Sequence, residues 1–319
     1  METATHHHVE EIARLKANLE SCILGKSAEI ELLLTAMLAG GHVLLEDVPG
    51  TGKTVLIKSL ARSMNGIFRR IQCNPDLLPS DITGVSIYHP KEEKFLFRPG
   101  PIMTNILLVD EINRATTKTQ SALLEAMEEH HVTVDGDVFE LPAPFIMLAT
   151  QNPIDFEGTY TLPEAQLDRF MIKLSLGYPS EAAEKAMIAS QRSAHPMEAL
   201  QPILDSERML YIQDQVRHVH MDDAVADYLV TLTRKTREHA SVLLGASPRA
   251  TLSLVMASKA FAYLHGRDYV IPDDIKYLAP FVLSHRIILH PEARMDGATV
   301  PSVLAKIFEQ VRVPVRMEK

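Results

Sequence analysis

Residues 46–54 read Glu46-Asp47-Val48-Pro49-Gly50-Thr51-Gly52-Lys53-Thr54, set between an apolar run at 42–45 and a helix-forming stretch at 55–63. A buried strand that hands a glycine-rich turn to a helix builds a phosphate site. The first N–H groups of the helix have no intrahelical partner, and its dipole favours an anion there. In such a turn Lys53 is placed for the β- and γ-phosphates of a nucleotide, and the Thr54 hydroxyl for Mg²⁺. Asp47, Val48, Pro49, Gly50, Thr51, Gly52 and Val55 make up the rest of the expected cradle. The general pattern has glycine where this chain has Asp47, whereas Gly50 and Gly52, nearest the phosphates, are kept.

A second strand signal, Ile106-Leu107-Leu108-Val109, ends in Asp110-Glu111. Two carboxylates at the carboxyl end of a buried strand sit where ligands of open α/β sheets bind. Asp110 suits Mg²⁺, and Glu111 is placed to orient or deprotonate an attacking water. The next run ends Leu148-Ala149-Thr150-Gln151-Asn152. Asn152 is positioned to hydrogen-bond a γ-phosphate and that water, or else to form the turn ahead of Pro153.

Two arginines complete the candidates. Arg249 follows Ser247-Pro248, an N-cap and first-turn proline, so it lies at a helix start. A cation there opposes the dipole at a cost of about 0.3–1 kcal/mol, which makes an anion its natural partner: a phosphate or a carboxylate of its own domain. Arg169 lies just before the last apolar run, with an acid as the alternative partner.

Short apolar runs at 42–45, 68–71, 106–109, 145–149 and 170–174 alternate with helical segments. Runs of that length without period-two alternation fit strands covered on both faces, so residues 1–178 read as a parallel sheet between helix layers, with N-terminal helices. Two hairpins interrupt it. One spans 85–97 around Pro90-Lys91-Glu92-Glu93-Lys94, and the other spans 132–139 around Asp135-Gly136. From 179 to 319 the pattern becomes helical, with candidates at 181–190, 207–218, 223–238, 249–265, 273–283 and 300–311.

The chain has 319 residues, 46% of them hydrophobic, enough for two domains, and a net charge of −9 that argues against non-specific binding to nucleic acid or anionic membrane. Cys22 and Cys73 are the only cysteines, in no metal-binding spacing, which points to a reducing, cytoplasmic setting. No stretch reads as a membrane span or signal peptide. His6, His7 and His8 read as an unstructured terminal stretch, and His218 and His220 as surface residues of a helical region.

Together these motifs resemble the AAA+ ATPases. That resemblance implies Lys53 and Thr54 as Walker A, Asp110 and Glu111 as Walker B, Asn152 as sensor 1, Arg169 as arginine finger and Arg249 as sensor 2. Residues 72–84 (beginning Gln72-Cys73-Asn74-Pro75-Asp76), Asp110-Glu111-Ile112-Asn113-Arg114-Ala115, residues 149–170 and Gly245-Ala246-Ser247-Pro248-Arg249-Ala250 are similar to the MoxR family in particular. Membership would imply ATP and Mg²⁺ as cofactors and a helical lid after the core. It would also imply a homo-oligomeric, usually hexameric, ring that remodels, matures or loads metal or cofactor into protein clients, often with a von Willebrand factor A domain partner. Ile23-Leu24-Gly25-Lys26 stands where many relatives carry Gly-Gln near the adenine.

The alternative is a DNA translocase or helicase, since relatives with two such hairpins include helicases. Gripping a phosphate backbone needs basic tips. Here one tip is Asp135-Gly136-Asp137 and the other a balanced Lys91-Glu92-Glu93-Lys94, which disfavours nucleic acid. A small-molecule kinase would share the phosphate loop without the second hairpin or the helical-domain arginine.

Overall fold

A computed structural model describes residues 2–48, 50–152, 159–190 and 196–314. The first part of the chain runs α1 (Glu2–Cys22), α2 (Ser27–Leu38), β1 (Val43–Glu46), α3 (Lys53–Ser63), β2 (Phe68–Gln72), α4 (Pro79–Thr83), β3 (Gly84–His89), β4 (Lys94–Pro99) and β5 (Ile106–Asp110). It continues α5 (Thr117–Glu129), β6 (His131–Val134), β7 (Asp137–Glu140), β8 (Ile146–Gln151), α6 (Glu164–Leu167) and β9 (Ile172–Leu174). The second part is α7 (Glu181–Ser190), α8 (Ser206–Arg217), α9 (Asp223–Glu238), β10 (Val242–Leu244), α10 (Pro248–Leu264), α11 (Pro272–Leu283), β11 (Ile288–Leu289), α12 (Pro291–Met295) and α13 (Val300–Gln310).

Every run read as a strand joins one parallel sheet, in the order β2-β5-β8-β1-β9. Successive side chains leave a strand on opposite faces, and the core divides accordingly. Val43, Leu45, Ile106, Leu108, Ile146 and Leu148 pack on the α1–α3 side, while Leu44, Leu107, Val109, Met147 and Ala149 pack on the side of α5. The first of these two cores runs on without a break into Leu229, Leu254 and Leu278 of the helical part.

Three expectations change. β2 is not an apolar strand covered on both faces: it is the sheet edge, with β5 as its neighbour, and Arg69, Arg70 and Gln72 are exposed. The backbone of the three consecutive histidines lies within α1, a helix anchored further along by Ile12, Leu15 and Leu19, buried at helical spacing. The helical part also carries an antiparallel β10–β11 ribbon, whose strands are too short for periodicity to register. His218 ends α8, and His220 lies beyond it in a bridge to Tyr269.

Both hairpins form. β3 pairs with β4 and β6 with β7, the latter through Asp135 and Gly136, both at positive φ as a tight hairpin turn demands. Phe97 and Phe139 stack at 3.9 Å between ring centroids and join the two hairpins.

Candidate nucleotide site

Because the strands are parallel, their carboxyl ends share one edge. Register places Gln72 opposite Asp110, and Glu46 opposite Gln151. A cavity of about 190 Å³ opens there, and Lys53, Thr54, Asp110, Glu111 and Asn152 all line it, together with Asp47 and Gly50. Val48, Thr51, Gly52 and Val55 belong to the loop and the first turn of α3, and Pro49 lies outside the described residues. Gly50 and Gly52 adopt φ of 86° and 90°, a backbone that a side chain would strain. Gly52 thereby ends the turn and starts α3 at Lys53. The Ile23 side chain lies 3.7 Å from where a Cβ on Gly52 would be, so the α1–α2 junction flanks the loop.

The Lys53 ammonium donates to the carbonyls of Asp47 (3.2 Å) and Val48 (3.0 Å). Asp47 does what a glycine could not. Its buried carboxylate accepts from the Leu176 N–H (2.7 Å), the Gly177 N–H (3.2 Å), the Ser175 hydroxyl (3.3 Å) and the Thr51 hydroxyl (3.3 Å). It therefore ties the start of the phosphate loop to the segment that leads from β9 into the helical part.

Asp110 accepts from the Thr150 hydroxyl on Oδ1 (2.9 Å) and from Arg70 Nε on Oδ2 (2.7 Å). Glu111 sits in the left-handed region, φ 55° and ψ 51°, at a cost of order 1 kcal/mol. Its N–H donates to the same Thr150 oxygen, which holds this turn. The Glu111 carboxylate accepts from Gln72 Nε2 (3.0 Å) and Arg114 (3.2 Å). Thr54 and Asp110 place one hydroxyl and one carboxylate on a common cavity, oxygen donors that would suit a hard divalent cation such as Mg²⁺, and no group of three His, Cys, Asp or Glu side chains forms a denser metal site among the described residues. Cys73 is inert beside them. Burial, then the charges of Asp110 and Glu111, pushes its thiol up to about 12.

Neither arginine candidate is among the described residues lining the cavity. Both meet Glu128, near the end of α5. Arg169 Nε lies 3.1 Å from one of its carboxylate oxygens, and Arg249 pairs with the other. Arg249 does start a capped helix, since the Ser247 hydroxyl accepts from the Ala250 N–H. Its partner is thus a carboxylate, and one from the core rather than from its own domain. The helical part also grips the backbone around Arg169. Arg286 donates to the carbonyls of Asp168 and Phe170, both at 2.8 Å, and His285 Nε2 donates to Phe170 O. Burial chiefly, then Arg286, lowers the His285 pKa to about 3, so this ring stays neutral.

Arg70, Gln72 and Thr150 line the cavity, and Glu128 holds the arginines without belonging to any of the sequence motifs that point to the site. Arg70 and Gln72 share a face at period two on a strand that runs into the site, and that was the available signal. Glu128 carried none.

Residues 42–172 match the family model of the ATPase family associated with various cellular activities (AAA), and residues 234–307 match an AAA lid domain. Phosphate loop, acid pair and lid together define an AAA-type P-loop ATPase. The chain is 41% identical over 315 residues, 96% of its length and 83% of the relative's, to the chaperone MoxR1 of Mycobacterium tuberculosis. It belongs to the MoxR family of AAA+ ATPases. It is also 54% identical over 299 residues to an uncharacterized Bacillus subtilis protein, YeaC, covering 94% of this chain and 93% of that one. A crystal structure of a protein from Cytophaga hutchinsonii assigned as an ATPase superposes with a TM-score of 0.91 at 37% identity over 98% of each chain.

Proposed function

We propose that this protein is a ring-forming motor, a core through residue 178 and a lid from residue 179, that hydrolyses ATP with Mg²⁺ and uses the energy to remodel, mature or load metal or cofactor into protein complexes. The observation that carries the reading is the separation just described: one chain gathers its loop lysine and acid pair in a single cavity and holds both arginines elsewhere, on Glu128. Arg70 does line that cavity but is ion-paired with Asp110, so an arginine that stabilises transition-state charge would be Arg169 or Arg249, brought from a neighbouring subunit. Hexameric closure is the form this takes in our reading.

Each residue has a task in that scheme. Lys53 exchanges its two loop carbonyls for phosphate oxygens, and the α3 N-terminus receives the same anion. Thr54 and Asp110 would hold Mg²⁺, which when bound neutralises charge on the phosphates. Glu111 accepts the proton of the attacking water, and Asn152 orients that water against the γ-phosphate. Arg169 and Arg249 act on the neighbour's nucleotide.

A protein client fits the hairpins better than DNA does. Phe95, Tyr88, Ile87 and Val138 are exposed on them, 70% in the case of Phe95, and the second tip is acidic. No described helix is long and apolar enough to cross a membrane. A cytoplasmic setting and a von Willebrand factor A domain partner complete the proposal. Mixing Glu111→Gln with Arg169→Ala chains tests it: some interfaces then pair an intact Glu111 with an intact Arg169, and ATPase activity should partly recover. No recovery in rings shown to contain both chains would overturn the shared site.

A further inference from the structure

Arg70 stands in the nucleotide cavity but has no place in the scheme above. It comes from the edge strand β2, where its half-exposed side chain crosses to the end of β5. Its Nε donates to Asp110 Oδ2 at 2.7 Å, and its Nη2 donates to Gln72 Oε1 at 2.7 Å. The other Asp110 oxygen is already taken by the Thr150 hydroxyl. Asp110 itself is 8% exposed, and each of its two oxygens accepts one of these bonds. A divalent cation drawn to Asp110, directly or through a water, meets a guanidinium on the same carboxylate. Two cations within a few ångströms of each other repel, and one of them has to give way. Arg70 is the one able to move, because its long side chain is half in solvent.

We propose that Arg70 is a positioning residue that latches Asp110 in competition with the divalent cation that accompanies nucleotide. Arg70 thereby sets how much Mg²⁺ the site requires. The latch also extends to the second carboxylate, because Gln72, which accepts from Arg70, donates to Glu111 at 3.0 Å. Withdrawing Arg70 from Asp110 leaves the Gln72 amide free to turn, so metal arrival loosens one of the two side-chain contacts on Glu111 and leaves the Arg114 contact in place.

The inference rests on Asp110 being the carboxylate that serves the metal, and the test separates the two ideas. A fluorescent methylanthraniloyl-ADP is titrated into the full chain in EDTA and at a series of MgCl₂ concentrations, and the Mg²⁺ midpoint for tight binding is read. In Arg70→Met the midpoint should fall about 2- to 5-fold, the range expected when a partly exposed ion pair stops competing. Arg70→Lys, which keeps the charge, should lie between Arg70→Met and the wild type. Affinity in EDTA should stay within about 2-fold of wild type, where no metal competes. An unchanged or higher Mg²⁺ midpoint in Arg70→Met overturns the latch. So does an equal loss of affinity with and without Mg²⁺, which would make Arg70 a phosphate ligand. Asp110→Asn is the control on the premise: if Mg²⁺ tightens nucleotide binding as much in that variant as in the wild type, Asp110 does not serve the metal, whatever Arg70 does.

Discussion

The carboxyl edge of the sheet and the end of α5 hold the two halves of the candidate catalytic set in different ways. At the sheet edge, Lys53, Asp110, Glu111 and Asn152 are fixed by strand register and a glycine turn, and they converge on one cavity. At the end of α5, Arg169 and Arg249 come from the core and the lid and are parked on Glu128, each at least 30% exposed. Parallel-strand geometry delivers residues to a point inside one chain, whereas a helix end beside a lid delivers them to a surface. The first half gathers within one chain, and on the function proposed above the second half is the surface that meets another subunit.

The sharpest way to break that comparison is Arg169→Ala. If the arginine completes a neighbour's site, steady-state hydrolysis should fall by about 10³–10⁵-fold with nucleotide affinity largely kept. A loss below tenfold would leave Arg169 as a partner for Glu128 and nothing more. Glu111→Gln should cost about 10²–10⁴-fold in turnover, again with ATP still bound. Turnover within a factor of a few of wild type would remove Glu111 from the role of base.

His42 links the two regions. Its Nδ1 accepts from the Met147 N–H of β8, and its Nε2 donates to Met127 O, one residue before Glu128. Burial first, then the nearby His130, lowers its pKa from 6.5 to about 4. The folded state therefore binds fewer protons than the unfolded chain between those values. The stability from the neutral ring is present above pH 6.5 and is lost as pH falls towards 4, by up to about 1.4 kcal/mol per pH unit. Denaturant melts of wild type and His42→Gln across pH 4–7 should show a shallower acid loss in the variant; equal slopes would place the acid sensitivity elsewhere.

The smallest effect is expected at Glu128→Gln. Both of its ion pairs are partly exposed, so monomer stability should change by only about 0.2–1 kcal/mol in denaturant melts. A loss of several kcal/mol would make the arginine pair a structural clamp rather than a surface held in reserve.

The sequence disclosed what depends on local chemistry. A glycine turn after an apolar run, acids at a strand end and an Asp-Gly hairpin each carry their own signal within a few residues, and each lies where it was expected. Contacts between distant segments left no such trace. Arg70 lies within the run 68–71, which reads as apolar, and Gln72 directly after it, because edge position, which lets Arg69 and Arg70 face solvent, depends on the order of strands and not on β2 itself. Thr150 was passed over as part of the approach to Asn152, although one hydroxyl holds both Asp110 and Glu111. Glu128 is one acid among several on a helix, and the arginines that meet it lie 41 and 121 positions away (169 − 128 and 249 − 128).

Asp47 carries a practical consequence for anyone who would divide this protein. Three of its four donors belong to Ser175, Leu176 and Gly177, after the last sheet strand. A nucleotide-binding fragment cut ahead of Ser175 would keep every residue of the cavity yet strand a buried anion beside its phosphate loop, a defect typically worth a few kcal/mol. Such a fragment should express poorly or bind weakly for a reason unrelated to its active site, and adding back the short peptide 175–177 would repair more than its length suggests.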